Sequence, residues 1–464
     1  MTLSVLTASI ALLHLLGIFA AMHAVMHTRT PQGAIGWAIG LLLLPYVTLL
    51  PYLYLGSSRF LGYLSKYHQA RLTSAAPIPL DERVIDPGCA RFAAISALQN
   101  RPFRGGHRLR LLIDGDATFE VMLAAMAAAE HSLLVQFFIF RDDNLGRRVQ
   151  QLLLQRAAAG VSVCVLFDGV GSHDLPRHYV ETLRAGGVAI HPFATRRWRN
   201  RFQLNFRNHR KIVVVDGARA FVGGLNVGDE YLGLKPPLAP WRDTHLELQG
   251  PVVTDLQQLF AEDWQWITGA PPPLLASPPG DGNASVLVVA SGPADLQETC
   301  SLFFTAAINA ASERIWLSTP YFVPDHAVLA ALRLAVLRGV DVRVLIPARP
   351  DHHTVFLAST LHAHHALRAG IRMFRYQPGF LHQKALLIDH DSAAIGSMNL
   401  DSRSFRLNFE VTALVVDRAF AAEVGAMLEA DFARSLPVEE REYDDAPYLR
   451  RVAMHVARLF DPLL

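Results

Sequence analysis

Two stretches of the chain repeat one pattern of polar residues at the same spacing. The first is Asn208-His209-Arg210-Lys211, four apolar residues, Asp216, then Gly223-Gly224-Leu225-Asn226. The second is Leu381-His382-Gln383-Lys384, four apolar residues, Asp389, then Gly396-Ser397-Met398-Asn399. Both read His-x-Lys-x4-Asp-x6-Gly-[Gly/Ser]-x-Asn. A lone His-x-Lys carries little information, but two full copies imply a duplicated folding unit, its halves related by a pseudo-twofold.

The flanking sequence repeats as well. AAAGVSVCVLFD, ending at Asp168, parallels VLRGVDVRVLIP, ending at Pro347, and LRAGGVAIHPF parallels LRAGIRMFRY. Apolar runs at 108–113, 132–140, 161–167, 314–318 and 340–346 read as strands. Helix-period segments at 119–129, 147–159 and 326–338 alternate with them. Continuous apolar strands separated by helices predict an α/β fold with sheets covered on both faces. A Pro/Gly-rich stretch at 271–284 reads as a linker. The expected organisation is a first lobe at 106–270 and a second at 285–464.

Composition points elsewhere too. Only 18% of the 464 residues are charged, against roughly 25% in soluble domains, and the mean hydropathy is +0.22. The excess sits at the start. Residues 3–26 and 35–56 carry no formally charged side chain, and each run is long enough to cross about 30 Å of hydrocarbon as a helix. Trp37, Tyr46, Tyr52 and Tyr54 suit interfacial or packing positions, and Pro45 and Pro51 predict a kink in the second run. Met1 to Ser4 lack the basic start of a signal peptide, and a second spanning run follows. Residues 1–58 are therefore expected to form a transmembrane helical hairpin, with 59–105 as connector. Arg29 alone lies in the hairpin loop, whereas Arg59, Lys66 and Arg71 follow the second run. That asymmetry predicts a cytoplasmic C-terminal part. The three cysteines, widely spaced, offer neither a disulfide framework nor a zinc-site spacing.

The repeated motif has a chemical logic. Residues two apart on a strand face the same side, so His209 and Lys211 point together, as do His382 and Lys384, with Arg210 and Gln383 pointing away. Asp216 and Asp389 are expected to turn back and orient the histidines. Glycines allow close backbone approach, and Asn226 and Asn399 offer amide donors. Two histidines and two lysines across a pseudo-twofold suit a phosphodiester. One neutral imidazole attacks phosphorus, and the other protonates the leaving alkoxide and then deprotonates the acceptor alcohol. The lysines stabilise the non-bridging oxygens. No metal or cofactor is required.

In these motifs the chain resembles the phospholipase D superfamily, and most closely the bacterial cardiolipin synthases within it. The likeness extends to RTPQGAIGWAIGLLLLPYVTLLPYLYLG, GGLNVGDEYLG, WRDTHLELQGPVV and GSMNLDSRSFRLNFE. It implies two phospholipase D-like α/β/α lobes sharing one site, in a multi-pass protein of the bacterial inner membrane. It implies transfer of a phosphatidyl group between two phosphatidylglycerols, giving cardiolipin and glycerol. Carried over, His209 and His382 become nucleophile and general acid/base, with a lean to His209 as the attacking group. Lys211 and Lys384 become phosphate ligands, and Asp216 and Asp389 histidine orienters. Asn226 and Asn399 become phosphate donors, and Glu230 and Glu410 supporting carboxylates. The expected partners are phosphatidylglycerol and anionic lipids rather than nucleic acid. Rival readings are a hydrolytic phospholipase D or nuclease, and a non-enzymatic membrane scaffold.

Three further stretches remain open. Arg196, Arg197, Arg199, Arg201, Arg207 and Arg210, interleaved with Trp198, Phe202 and Phe206, suit a lipid surface, a solvated loop or nucleic acid. His352, His353, His362, His364 and His365 suit a surface or channel-lining helix better than a metal site. The C-terminal YLRRVAMHVARLF has helical apolar spacing, either interfacial or packed on its own lobe.

Overall fold

The computed structural model describes residues 2–28, 31–56, 87–193 and 206–463. Arg29, most of the connector with Arg59, Lys66 and Arg71, and the Arg196–Phe202 part of the basic stretch lie outside the described residues. The chain divides into two units, the first being the N-terminal segment and the second almost everything after it.

In the first unit, α1 spans Thr2–His27, α2 Pro31–Leu43 and α3 Pro45–Leu55. Of these only α1 is long and apolar enough to cross a membrane, with mean hydropathy 2.2 over 5–27. The second apolar run, expected as one kinked helix, is instead broken at Leu44, whose φ and ψ are −135° and 56°. Proline disfavours helical geometry in the residue before it and has no N–H to continue the ladder. The Thr48 hydroxyl contacts two carbonyls beside the break, Gly40 at 2.9 Å and Leu44 at 2.8 Å. α1 packs on α2 and α3 through Ala21, Ala24, Leu41 and Tyr52. Gly17 permits the closest approach, since a Cβ there would lie 2.4 Å from the Leu41 carbonyl oxygen.

The second unit is built on one continuous sheet. Its first half holds β1 (Arg104–Ile113), β2 (Ser132–Phe137), β3 (Ser162–Asp168), β4 (Ala189–Phe193), β5 (Arg207–Asn208), β6 (Ile212–Val215), β7 (Arg219–Gly223), β8 (Trp241–Arg242) and β9 (Thr244–Gln249). Its second half holds β10 (Ala284–Ser291), β11 (Arg314–Ser318), β12 (Asp341–Pro347), β13 (Arg372–Tyr376), β14 (Phe380–Leu381), β15 (Ala385–Ile388), β16 (Ser392–Gly396), β17 (Asn408–Val416) and β18 (Ser435–Pro437). The order is β18-β13-β12-β11-β15-β16-β17-β10-β1-β9-β7-β6-β2-β3-β4, with β5 pairing β17 off this path, β18 an edge strand of the second half alone, and β8 and β14 forming a separate two-stranded sheet. Read outward from the antiparallel β1–β10 seam, the two halves run in the same sequence of equivalent strands, which is the duplication expected from the repeats. Residues 270–283, between the halves, carry no helix or strand.

Side-chain alternation along the strands builds the layers. Leu133, Val135 and Phe137 of β2 face a core formed with Phe119, Met122, Leu145, Val149 and Leu153. Leu134 faces the opposite side, where helices Val253–Thr268 and Arg418–Ala433 supply Leu256, Phe260, Val424 and Leu428 to a core common to both halves. A third core lies under the second half, around Phe303, Leu332, Val344 and Ile388. Apolar strands buried on both faces give α/β/α layering in each half.

Candidate active site

Each motif histidine is stitched to the other lobe before its side chain does anything. β5 pairs in parallel with β17, and the His209 amide donates to the Phe409 carbonyl at 2.9 Å. β14 pairs in parallel with β8, and the His382 amide donates to the Arg242 carbonyl at 2.8 Å. These crossings carry the side chains to carboxylates of the opposite half. His209 Nδ1 lies 2.9 Å from Glu410 Oε2, and His382 Nδ1 lies 2.7 Å from Asp243 Oδ2. Both acids are fully buried. Neither imidazole Nε2 makes a hydrogen bond among the described residues. A carboxylate on Nδ1 fixes the tautomer that leaves Nε2 with a free lone pair.

The acids are held in turn. Glu410 accepts from Ser397 Oγ at 2.5 Å, Ser404 Oγ at 2.9 Å and Asn408 Nδ2 at 3.2 Å. Asp243 accepts from the Thr244 amide at 2.8 Å. The Gly/Ser difference between the motifs has its reason here. A Cβ on Gly224 would stand 2.0 Å from Asp243 Oδ1, whereas Ser397 uses its hydroxyl to hold Glu410. Aromatic rings line the pair, with Phe138 centred 5.0 Å from His209 and Trp241 5.0 Å from His382.

Lys211 Nζ donates to the His209 carbonyl at 2.7 Å, and Lys384 Nζ to that of His382. Each ammonium has three protons, so donors remain for an anion. Burial shapes every charge. It lowers His209 to about 4, against the pull of Glu410. Burial, then the Lys384 charge, lowers His382 to about 4. Burial also brings Lys211 down to about 7, with Lys384 adding to the effect, and Lys384 to about 8. Lys384 acts on His209, and Lys211 on His382, so the two motifs share one electrostatic site. Despite burial, Glu410 is held below the usual carboxylate range by His209 and Lys211. Asp243 is held down likewise by Lys384 and His382.

Residues 122–264 and 304–432 match the family described as cardiolipin synthase, PLD-like domain. The chain is 58% identical over 464 residues to cardiolipin synthase A of Pseudomonas aeruginosa, covering 97% of this chain and 95% of the relative. The chain belongs to the cardiolipin synthase family. Cardiolipin synthase A of Pseudomonas fluorescens is 56% identical, with 98% of each chain covered. Among solved structures, phosphatidylserine synthase of Haemophilus influenzae superposes with a TM-score of 0.61 at 13% identity, covering 81% of this chain and all of that one. At that identity the likeness speaks for the fold alone.

Within this cardiolipin synthase family member, two expectations need correction. Asp216 and Asp389 do not touch the histidines. Asp216, in a left-handed turn at φ 51°, accepts from the amides of Glu130, His131 and Ser132, each at 2.8 Å. Asp389, at φ 52°, accepts from the amides of Ser312, Glu313 and Arg314 and pairs with Arg91 at 2.7 Å. The intervening strand carries each carboxylate about 16 Å along from its lysine, to the far end of β6 or β15. Glu230 is likewise away from the histidines. It is partly exposed beside Arg141 and Lys235, each at 3.5 Å.

Asn226 and Asn399 are both buried. Asn226 Oδ1 accepts from the Ile139 amide at 3.2 Å and its Nδ2 donates to Tyr231 at 3.1 Å. Asn399 Oδ1 has no partner among the described residues. Arg210 is not part of a lipid-facing surface. It is buried, with Nη1 2.8 Å from Asp263, in the three-residue stretch between β5 and β6 that also holds His209 and Lys211. Gln383 does the same toward Asp431 at 3.1 Å. In the histidine-rich helix, His362 and His364 are buried under the C-terminal segment, one 2.8 Å from Asp461 and the other stacked on Tyr443. No group of metal-ligating side chains forms among the described residues.

Sequence reasoning missed Asp243. Its pseudosymmetric twin Glu410 follows Asn399 more closely than Asp243 follows Asn226, so spacing hides the pair. Placing WRDTHLELQG against LNFEVTALVV by their strand pattern would have matched the two acids.

Proposed function

We propose that this protein is a membrane-anchored phosphatidyltransferase that converts two phosphatidylglycerols into cardiolipin and glycerol. The observation that carries this reading is the crossed arrangement of His209–Glu410 and His382–Asp243 around two buried lysines. In the first step His209 Nε2 attacks phosphorus, a phosphatidyl-histidine forms, and the P–O bond to glycerol breaks. His382 gives its proton to the departing alkoxide. In the second step a hydroxyl of another phosphatidylglycerol loses its proton to His382 and attacks phosphorus, the P–N bond breaks, and His209 is restored. Both steps exchange one phosphorus bond for another, so no ATP is needed.

The electrostatics suit these roles. A histidine at about 4 is neutral, and so nucleophilic, at neutral pH. An anionic phosphodiester bound at the site favours a proton on the second imidazole. Lys211 and Lys384 bind the non-bridging oxygens, where transition-state charge redistributes. Asp216 and Asp389 anchor the turns that end β6 and β15, and Asn226 and Asn399 offer amide donors to the phosphate. The N-terminal segment acts as a membrane hairpin with both ends on the cytoplasmic side of a bacterial inner membrane. Holding the site beside lipid acceptors raises their effective concentration over water. The test is turnover of labelled phosphatidylglycerol by the purified full chain. Cardiolipin with one glycerol released per turnover supports the reading. Phosphatidic acid as the main product would mean that water is the acceptor, and would overturn it.

A further inference from the structure

The C-terminal helix, Tyr448–Arg458, presents a feature that the transfer chemistry leaves unused. It is fixed to the catalytic unit. Met454 and Ala457 are buried against helix His353–Leu367, His455 lies 2.8 Å from the Tyr443 hydroxyl, and His362 bonds Asp461 just beyond the helix end. Its outer face stays apolar and open. Leu449 is 79% exposed and Leu459 77%, with Val452, Val456 and Phe460 beside them. At about 100° per residue these five fall within roughly a third of the helical wheel. Arg450, Arg451 and Arg458 lie on the rest of the wheel, away from this stripe, and residues 448–460 contain no acidic side chain.

An apolar stripe on a basic helix, held rigidly on a folded unit, suits an anionic bilayer surface. Apolar side chains enter the headgroup boundary and arginines meet lipid phosphates. We propose that this helix is an interfacial membrane contact, selective for anionic lipid and separate from the N-terminal hairpin. It would hold the catalytic unit against the leaflet that contains its lipid substrate.

The test uses the full chain, reconstituted in vesicles, with a nitroxide on Leu459→Cys and, separately, on Leu449→Cys. The native Cys89, Cys164 and Cys300 are buried. Turnover of phosphatidylglycerol in detergent micelles confirms that each variant is folded. In vesicles containing phosphatidylglycerol, we expect label collisions with oxygen to rise severalfold relative to collisions with an aqueous nickel chelate. Pure phosphatidylcholine should give a smaller rise, and Arg450→Gln/Arg451→Gln/Arg458→Gln should remove the anionic preference. Labels that stay fully water-accessible on anionic vesicles would overturn the proposal. Label–label dipolar coupling that grows with protein concentration would also overturn it, by assigning the face to a second copy. Neither readout depends on which reaction the site performs.

Discussion

Glu410 reaches His209 from the opposite half of the chain, its Oε2 2.9 Å from the imidazole Nδ1, and Asp243 returns the favour to His382 at 2.7 Å. Each half therefore supplies an imidazole to one pair and a carboxylate to the other. Exchanging Glu410 for Gln keeps the shape but removes the charge that stabilises an imidazolium and selects the tautomer. We expect Glu410→Gln and Asp243→Asn each to lower kcat by about 10⁴-fold, as loss of an orienting carboxylate does in other histidine-based sites. Steady-state transfer assays would show this, and a loss under tenfold in both would refute the pairing's role.

Asp216→Ala should behave differently. It strips three backbone amides of their acceptor and puts alanine at a positive φ. We expect a stability loss of about 1–3 kcal/mol, seen in denaturant or thermal unfolding. The pH profile of the remaining activity should match the unsubstituted protein, because Asp216 does not touch His209.

Gly224→Ala tests the close approach behind His382. The added Cβ would meet Asp243 Oδ1 at 2.0 Å, so either the carboxylate or the loop must move. We expect kcat to fall nearly as far as in Asp243→Asn. Ser397→Gly removes one of several bonds to Glu410 and should cost about ten- to a hundredfold, since a hydrogen bond to a charged group contributes about 1.5–3 kcal/mol.

The buried cations set a pH window. Lys211 at about 7 and Lys384 at about 8 lose their protons far below an ordinary lysine. In free enzyme kcat/KM should decline as pH rises through about 7 to 8, with KM responding most. His209 and His382, at about 4 when folded against an ordinary 6.5, bind fewer protons folded than unfolded between those values. Their neutral forms contribute stability that is complete above about pH 6.5 and lost as pH falls toward about 4. The unfolding midpoint, followed from pH 7 to 4, should drop across that interval.

The duplication was legible because the repeat itself implies the twofold, and the two-residue spacing of each motif sets Lys211 beside His209 and Lys384 beside His382. What escaped depended on partners far along the chain. Nothing local tells Asp243 that His382 will be its neighbour, and the unequal loops before Asp243 and Glu410 mask their equivalence. The aspartates were placed wrongly because a four-residue strand separates each from its lysine, a distance the motif's compact spelling conceals. The break at Leu44 was half visible, since Pro45 signals a kink but not whether the helix bends or stops.

The β1–β10 seam has a mechanical consequence. The halves are joined there by two paired positions, Arg104 with Val286 and His107 with Ala284, and by one apolar layer to which Leu134 and Leu387 both contribute. Because each histidine–carboxylate pair takes one member from each half, joining the halves in this way is also what keeps the two imidazoles on station while one alcohol replaces the other.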